Sequence, residues 1–290
     1  MIITGDESGD RIDTFLQRKL NSYSRSYLAK MIDEGRVLVD DKAIKSKYRI
    51  KPQDKIRLDL PAAPIKAKNE QSLPIIYEDD FCLVVNKPAG MLTHAKGAQS
   101  EEASVASIVS DQLSQEMTGN RAGIVHRLDR GTSGVMVVAR TQPALKYLQR
   151  QFAKRQVHKN YLAIFKGQLE HREAVINLPI ERNPKAPASF RTGPNGKTAV
   201  TEYSVLQEDG GYSLISLFPQ TGRTHQLRVH LKAIGHPIVG DVIYGGEPAD
   251  RLMLHAFRLD ITLPDIGLKS FSAPVPDEFN AYIRYDSCNG

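Results

Sequence analysis

Twelve residues of this chain, Gly123-Ile124-Val125-His126-Arg127-Leu128-Asp129-Arg130-Gly131-Thr132-Ser133-Gly134, run straight into the apolar stretch Val135-Met136-Val137-Val138-Ala139. The second stretch has strand length and β-branched enrichment, so it reads as a buried strand. The first is polar and interrupted by three glycines, which let a backbone turn or come close to a ligand. A short charged loop fixed to a buried strand can hold one carboxylate rigidly, and Asp129 is that carboxylate. From the residues alone a second account stays open. Asp129 could cap a surface turn and pair with Arg127 in solvent, where such pairs contribute little.

With 290 residues, 41% of them hydrophobic, the chain can bury the core of one or two domains. Lys and Arg outnumber Asp and Glu by 39 to 33, a net charge of +6 that weakly favours a polyanionic partner. The longest aliphatic runs are five or six residues, far below the roughly 20 of a membrane span. Met1-Ile2-Ile3-Thr4-Gly5-Asp6-Glu7 has neither the basic nor the apolar region of a signal peptide. Cys82 and Cys288, the two cysteines of the chain, stand far apart in the sequence. The expectation is a reduced, cytoplasmic protein with no membrane partner, no disulfide framework and no cysteine metal site.

Along the chain, Ile12, Phe15, Leu16 and Leu20 predict a helix over residues 10–20, and Ser24 reads as the cap of a second helix ending at Gly35. Val37-Leu38-Val39, a turn at Asp40-Asp41 and the alternation Ile56, Leu58, Leu60 complete a helix-helix-hairpin unit over residues 1–62. It carries 13 Lys and Arg against 10 Asp and Glu, half the net charge of the chain. A Pro-, Ala- and charge-rich linker at 63–72 separates it from a larger domain at 73–290. There the pattern predicts strands at 81–85, 135–139, 161–165, 175–180, 199–205 and 212–217. Helices are expected at 104–115, after Thr141, and at 224–234. Most connections are too short for crossover helices, so the class is α+β with a mixed, largely antiparallel sheet.

Several chemistries find no support in the pattern. His225 and His230 are five residues apart, about 140° around a helix, without the i, i+4 spacing and intervening Glu of a zincin. Gly131-Thr132-Ser133-Gly134 lacks the lysine and the following helix of a phosphate-binding loop, and Ser133 lacks the Gly-x-Ser-x-Gly frame of a nucleophile elbow. The remaining candidates are a carboxylate, an aromatic and an arginine. Each has a bland counterpart: Tyr161 as a half-buried core tyrosine, Arg228 as a surface arginine at the edge of the Leu227, Leu231 and Ile234 stripe. Arg223 competes for a phosphate contact.

His126-Arg127-Leu128-Asp129-Arg130-Gly131-Thr132-Ser133-Gly134 closely resembles the active-site loop of the RluA-type RNA pseudouridine synthases. Further segments match in the same order: Val85-Asn86-Lys87-Pro88-Ala89-Gly90-Met91, Lys159-Asn160-Tyr161-Leu162-Ala163, Gly222-Arg223-Thr224-His225-Gln226-Leu227-Arg228-Val229-His230, Gly235-His236-Pro237-Ile238-Val239-Gly240-Asp241 and Leu254-His255-Ala256. Arg11 through Leu16 and Glu34-Gly35-Arg36-Val37-Leu38-Val39 resemble the S4 RNA-binding domain, although a plain capping domain fits the periodicity equally well. The resemblance implies a curved central sheet crossed by a cleft and a small N-terminal α/β S4 domain. It implies conversion of uridine to pseudouridine in structured RNA, most of all 23S ribosomal RNA and otherwise tRNA, by a monomer without cofactor or metal.

Asp129 then becomes the catalytic residue and Arg228 its counter-charge in a desolvated pocket. Tyr161 would stack on the target base, Arg127 would fill the space left when the uridine turns out, and Leu227 joins the substrate-binding set. Asn160, where a basic residue is common, and Thr262-Leu263-Pro264 depart from the family pattern and bear on RNA choice. A different class remains as the alternative: a non-catalytic RNA-binding or ribosome-assembly factor that keeps the fold.

Overall fold

The computed structural model describes residues 2–5, 9–20, 23, 25–59, 73–95 and 102–284. Ser24, Leu60, the expected linker at 63–72 and Cys288 lie outside them. One unit comprises Met1–Gln71, His94–Asp111 and Gln115–Ala122, and the other Ser72–Thr93, Gln112–Ser114 and Gly123–Gly290.

In the first unit β1 (Ile2–Thr4), α1 (Ile12–Lys19), α2 (Arg25–Asp33), β2 (Val37–Val39), β3 (Lys42–Ala43) and β4 (Lys55–Leu58) follow one another. The strands form an antiparallel sheet in the order β1-β4-β2-β3. Ile12, Phe15 and Leu16 of α1 meet Leu28 and Ile32 of α2 over Val37, Ile56 and Leu58, so the apolar spacing of both helices is spent on one core. Asp40 and Asp41 both take positive φ, 47° and 62°, the backbone of a tight hairpin turn whose twist suits the flanking strands. Asp13 is buried in the first turn of α1 and accepts bonds from Arg11 Nη2 at 2.8 Å and Arg25 Nε at 3.1 Å. Burial alone would raise its carboxyl, but the two guanidiniums outweigh it and hold the group below the usual range.

Also in this unit, α3 is confined to Val105–Ile108, where a helix over 104–115 is expected. Ser104 and Ser107 cap its start reciprocally, and Ser110 Oγ bonds the Ser107 carbonyl at 2.9 Å. Serines that hydrogen-bond the local backbone compete with helix propagation, and a 3-10 turn at Ser110–Gln112 takes over.

The second unit is built on β5 (Ile75–Glu78), β6 (Cys82–Lys87), β7 (Ser133–Ala139), β8 (His158–Lys166), β9 (Glu173–Asn177), β10 (Ile180–Arg182), β11 (Phe190–Thr192), β12 (Val200–Asp209), β13 (Tyr212–Pro219), β14 (Leu254–Leu263) and β15 (Gly267–Ser272). The large sheet runs β5-β6-β7-β14-β8-β13-β12-β9, with β15 added to β14, and β10 pairs with β11 separately. Its pairings are antiparallel except β7 with β14, the mixed and largely antiparallel sheet expected. Where these two strands meet, Gly134 sits at φ 115° and a Cβ would collide with the Ala256 carbonyl, so the last glycine of the loop is sterically required.

All seven residues of β7 are buried. α4 (Gln142–Ala153), capped as expected by Thr141 Oγ1 accepting from Ala144 N–H, lays Ala144 and Leu148 against the Val84, Val135 and Val137 layer. The strand expected over 175–180 is two short strands, because Pro179 between β9 and β10 cannot donate to the ladder. α5 (Gln226–Ala233) starts two residues later than predicted, after His225 in the left-handed region. Leu227 and Leu231 enter the main core and Val229 a smaller cluster with Ile180, Ala199 and Tyr244. The helix therefore has no wet face between Gln226 and Leu231, and its polar side chains are satisfied inside. Gln226 Oε1 accepts from the Thr221 hydroxyl and from Arg223 N–H, and the His230 ring nitrogens lie at 2.9 Å from Thr201 Oγ1 and 3.0 Å from the Leu178 carbonyl. Among the described residues no helix is long and apolar enough to cross a membrane.

Candidate active site

The loop that carries Asp129 is held from both sides of that residue. The Thr93 hydroxyl donates to the Leu128 carbonyl at 2.8 Å and accepts the Leu128 N–H at 3.2 Å. On the other side the Arg130 carbonyl accepts Gly90 N–H at 2.8 Å, and Arg130 Nε donates to the Gly90 carbonyl at 3.0 Å. Three residues before Asp129, His126 Nε2 accepts Val137 N–H at 3.1 Å and its ring stacks on Phe152, tying the loop to β7 and α4. Burial pushes the His126 imidazole down to about 3, so it stays a neutral acceptor. Asp129 is thus fixed by its neighbours' backbone, and its side chain stays 17% exposed to the cleft.

Beneath the loop lies Lys87, the last residue of β6, with no exposed surface. Its ammonium donates to the carbonyls of Pro88, Met91 and Arg130 at 2.9, 2.8 and 3.2 Å, using all three hydrogens to close the loop and the Pro88 turn together. Desolvation pulls it down to about 7, with the charge of Asp129 acting against that fall.

Arg127, Asp129, Tyr161, Leu227 and Arg228, the five residues singled out in the sequence, line one cavity of about 670 Å³. Arg228 Nη1 stands 3.7 Å from Asp129 Oδ2, but its tight partner is Asp241, bound through Nε at 2.7 Å and Nη2 at 2.8 Å. The expected pairing of Arg228 with Asp129 is therefore loose and secondary. The geometry explains it: Asp241 is fully buried and takes the parallel fork of the guanidinium, which leaves one edge of Arg228 for the cavity. Tyr161 is half-buried on β8, and burial, then the charge of Asp129, raises its hydroxyl well above the ordinary tyrosine value. Arg127 is exposed at the rim, and Arg223, also in the lining, donates to the Thr198 carbonyl at 3.0 Å. Asn160 accepts from Ser216 Oγ at 3.0 Å.

Residues 81–233 match the family of RNA pseudouridylate synthases. The chain belongs to that family. Residues 10–56 match the S4 domain. An uncharacterized RNA pseudouridine synthase of Chlorobaculum parvum is 38% identical, over 94% of this chain and 93% of the relative. Ribosomal large subunit pseudouridine synthase D of Nitrosomonas europaea is 35% identical, over 96% of this chain and 84% of that one. Among solved structures, human RNA pseudouridylate synthase domain containing 1 superimposes with a TM-score of 0.59 at 30% identity, covering 72% of this chain and 86% of that one.

This RNA pseudouridine synthase, an isomerase, also uses residues that sequence reasoning left without a role. His225 takes φ 57° and places Nε2 3.9 Å from Asp129 Oδ2. Its Nδ1 lies 2.8 Å from the Tyr244 hydroxyl, which accepts Phe190 N–H at 2.9 Å, while the Tyr244 ring lies 5.0 Å from the Arg228 guanidinium. Tyr244 thus orders both groups that face Asp129. Burial lowers the His225 imidazole, with Asp129 opposing and Arg228 reinforcing the shift. Lys87, His225 and Asp241 all fall inside the matched segments of the synthase motifs, and their position there was the available signal. Tyr244 and Thr93 fall outside them.

Proposed function

We propose that the synthase isomerises uridines of large-subunit ribosomal RNA, with Asp129 as the catalytic residue and the target base turned out of its stack into the cavity. The observation that carries this reading is the convergence of Arg127, Asp129, Tyr161, Leu227 and Arg228 on one cavity, with Asp129 braced through Leu128 and Arg130. The naming of a relative as a ribosomal large subunit enzyme supports the choice of RNA.

The reaction breaks the bond from the ribose to N1 of uracil, turns the base and joins the ribose to C5; C5 gives up its proton and N1 takes one up, so the product is an isomer. Nothing is oxidised and no group leaves the nucleotide, so a carboxylate acting as nucleophile or electrostatic partner is sufficient. The Tyr161 ring can stack on the turned-out base, and its hydroxyl, held protonated by burial, can donate a hydrogen bond and relay a proton. Arg228 Nη1 and His225 Nε2 both face one oxygen of Asp129. The S4 unit contributes phosphate contacts outside the cavity.

Incubating the purified chain with transcripts of large- and small-subunit ribosomal RNA, then mapping pseudouridine by carbodiimide-dependent primer extension, tests the reading. Pseudouridine at discrete large-subunit positions, absent with Asp129→Asn, is the expected result. Conversion confined to other RNA refutes the substrate assignment, and conversion by Asp129→Asn refutes the residue.

A further inference from the structure

Lys159 stands two residues before Tyr161 on β8, so both side chains leave the same face of the strand, and both line the cavity. The lysine is half-buried, and among the described residues its ammonium has no hydrogen-bond acceptor and no carboxylate partner. The charge that acts on it is another cation, Arg155, which lines the same cavity from a left-handed residue (φ 57°) just beyond α4. Burial first, and then that guanidinium, pull the Lys159 ammonium down to about 8.

The carboxylates lining the cavity do not answer these charges. Asp129 faces His225 and Arg228, and Glu202 accepts from Gln220 Nε2 at 3.3 Å. A partly desolvated cation acted on by a second one, with no carboxylate partner among the described residues, is unfavourable while the site is empty and is relieved by an anion. Lysine is a compact, strongly charged phosphate ligand, and an arginine beside it adds planar donors for the same oxygens.

We propose that Lys159, with Arg155 beside it, forms a phosphate subsite that takes a phosphodiester of the RNA strand adjoining the nucleotide held at Tyr161 and Asp129. The proposal deepens the RNA-modifying reading above and rests on it for the identity of the strand. Tyr161 and Lys159, one position apart on the same strand face, then hold base and backbone in a fixed relation, and the phosphate contact sets how far the target reaches toward Asp129.

The test compares the full-length chain with its Lys159→Met, Lys159→Gln and Lys159→Arg variants. The probe is a short single-stranded oligouridylate, bound over a series of salt concentrations, with pseudouridine formation in ribosomal RNA followed in parallel. Loss of one phosphate contact lowers the slope of log K against log salt by about 0.7 for a single strand. Lys159→Met and Lys159→Gln should both show that fall with about tenfold weaker binding at low salt, and Lys159→Arg should recover both. An unchanged slope in the two neutral variants overturns the subsite, as does a loss that arginine fails to restore. If the slope falls as expected but the wild-type chain converts no ribosomal uridine, the substrate reading fails and the anion site stands. If conversion is seen with an unchanged slope, the reverse holds.

Discussion

Arg228 docks Nε and Nη2 onto Asp241, at 2.7 and 2.8 Å, and presents only Nη1 to Asp129, at 3.7 Å. One guanidinium therefore does two separable jobs, anchoring a fully buried carboxylate and lending charge to the cavity. Removing it alone should expose the first. Arg228→Met strands Asp241 and should destabilise the protein by about 3–5 kcal/mol, whereas Arg228→Met with Asp241→Leu should recover much of that loss and remain inactive. Urea unfolding beside a turnover assay checks both halves, and activity in the double variant would mean that Arg228 serves stability alone.

Asp129→Asn keeps the shape of the side chain and every backbone bond that braces the loop, because those bonds run through Leu128 and Arg130. Folding and RNA affinity should stay near wild type while isomerisation falls below detection. Thermal melting, RNA binding and pseudouridine yield measured on one preparation decide it.

For Tyr161 the ring and the hydroxyl can be tested apart. The hydroxyl is held protonated by burial and by Asp129, so Tyr161→Phe should bind RNA normally and turn over about 10²- to 10⁴-fold more slowly, the usual range for a lost proton-transfer group. Tyr161→Leu should also lose part of a stacking contribution of about 1–3 kcal/mol. Wild-type turnover by both variants would make Tyr161 a core residue of β8 and nothing more.

Tyr244→Phe removes the acceptor of Phe190 N–H and the partner of His225 Nδ1 in one step. A loss of about 1–3 kcal/mol in stability is expected from the stranded donor. Turnover should fall as well, because His225 is no longer oriented toward Asp129. Stability and kcat can be compared directly with those of His225→Ala, which should reproduce the kinetic part.

Lys87 links the loop to pH. Its folded value is lowered to about 7 from 10.5, so between these values the unfolded chain binds more protons than the folded one. The contribution of this group to stability therefore rises as pH increases from 7 toward 10, with a limiting slope of about 1.4 kcal/mol per pH unit, and is flat below 7. The difference in unfolding free energy between wild type and Lys87→Met should follow that curve. A difference independent of pH from 7 to 10 would contradict the placement of a desolvated ammonium under the loop.

The residue pattern by itself determined the local elements. β7 is a β-branched run, α4 is announced by the Thr141 cap, and the Asp40-Asp41 hairpin follows from turn chemistry, because each depends on residues a few positions apart. Together with the motif resemblance, the same level of reading picked out Arg127, Asp129, Tyr161, Leu227 and Arg228, which do share a cavity. It read 104–115 as one helix and 175–180 as one strand, where Ser107, Ser110 and Pro179 redirect the backbone. It also treated Arg228 as the edge of an amphipathic stripe. Only the tertiary structure decided that Asp241 holds Arg228, that Lys87 closes the Asp129 loop from below, and that Tyr244 orders His225. Those partners come from distant elements, and a buried charge or polar group accepts whichever acceptor the folded chain brings within about 3 Å, which no periodicity along the sequence encodes.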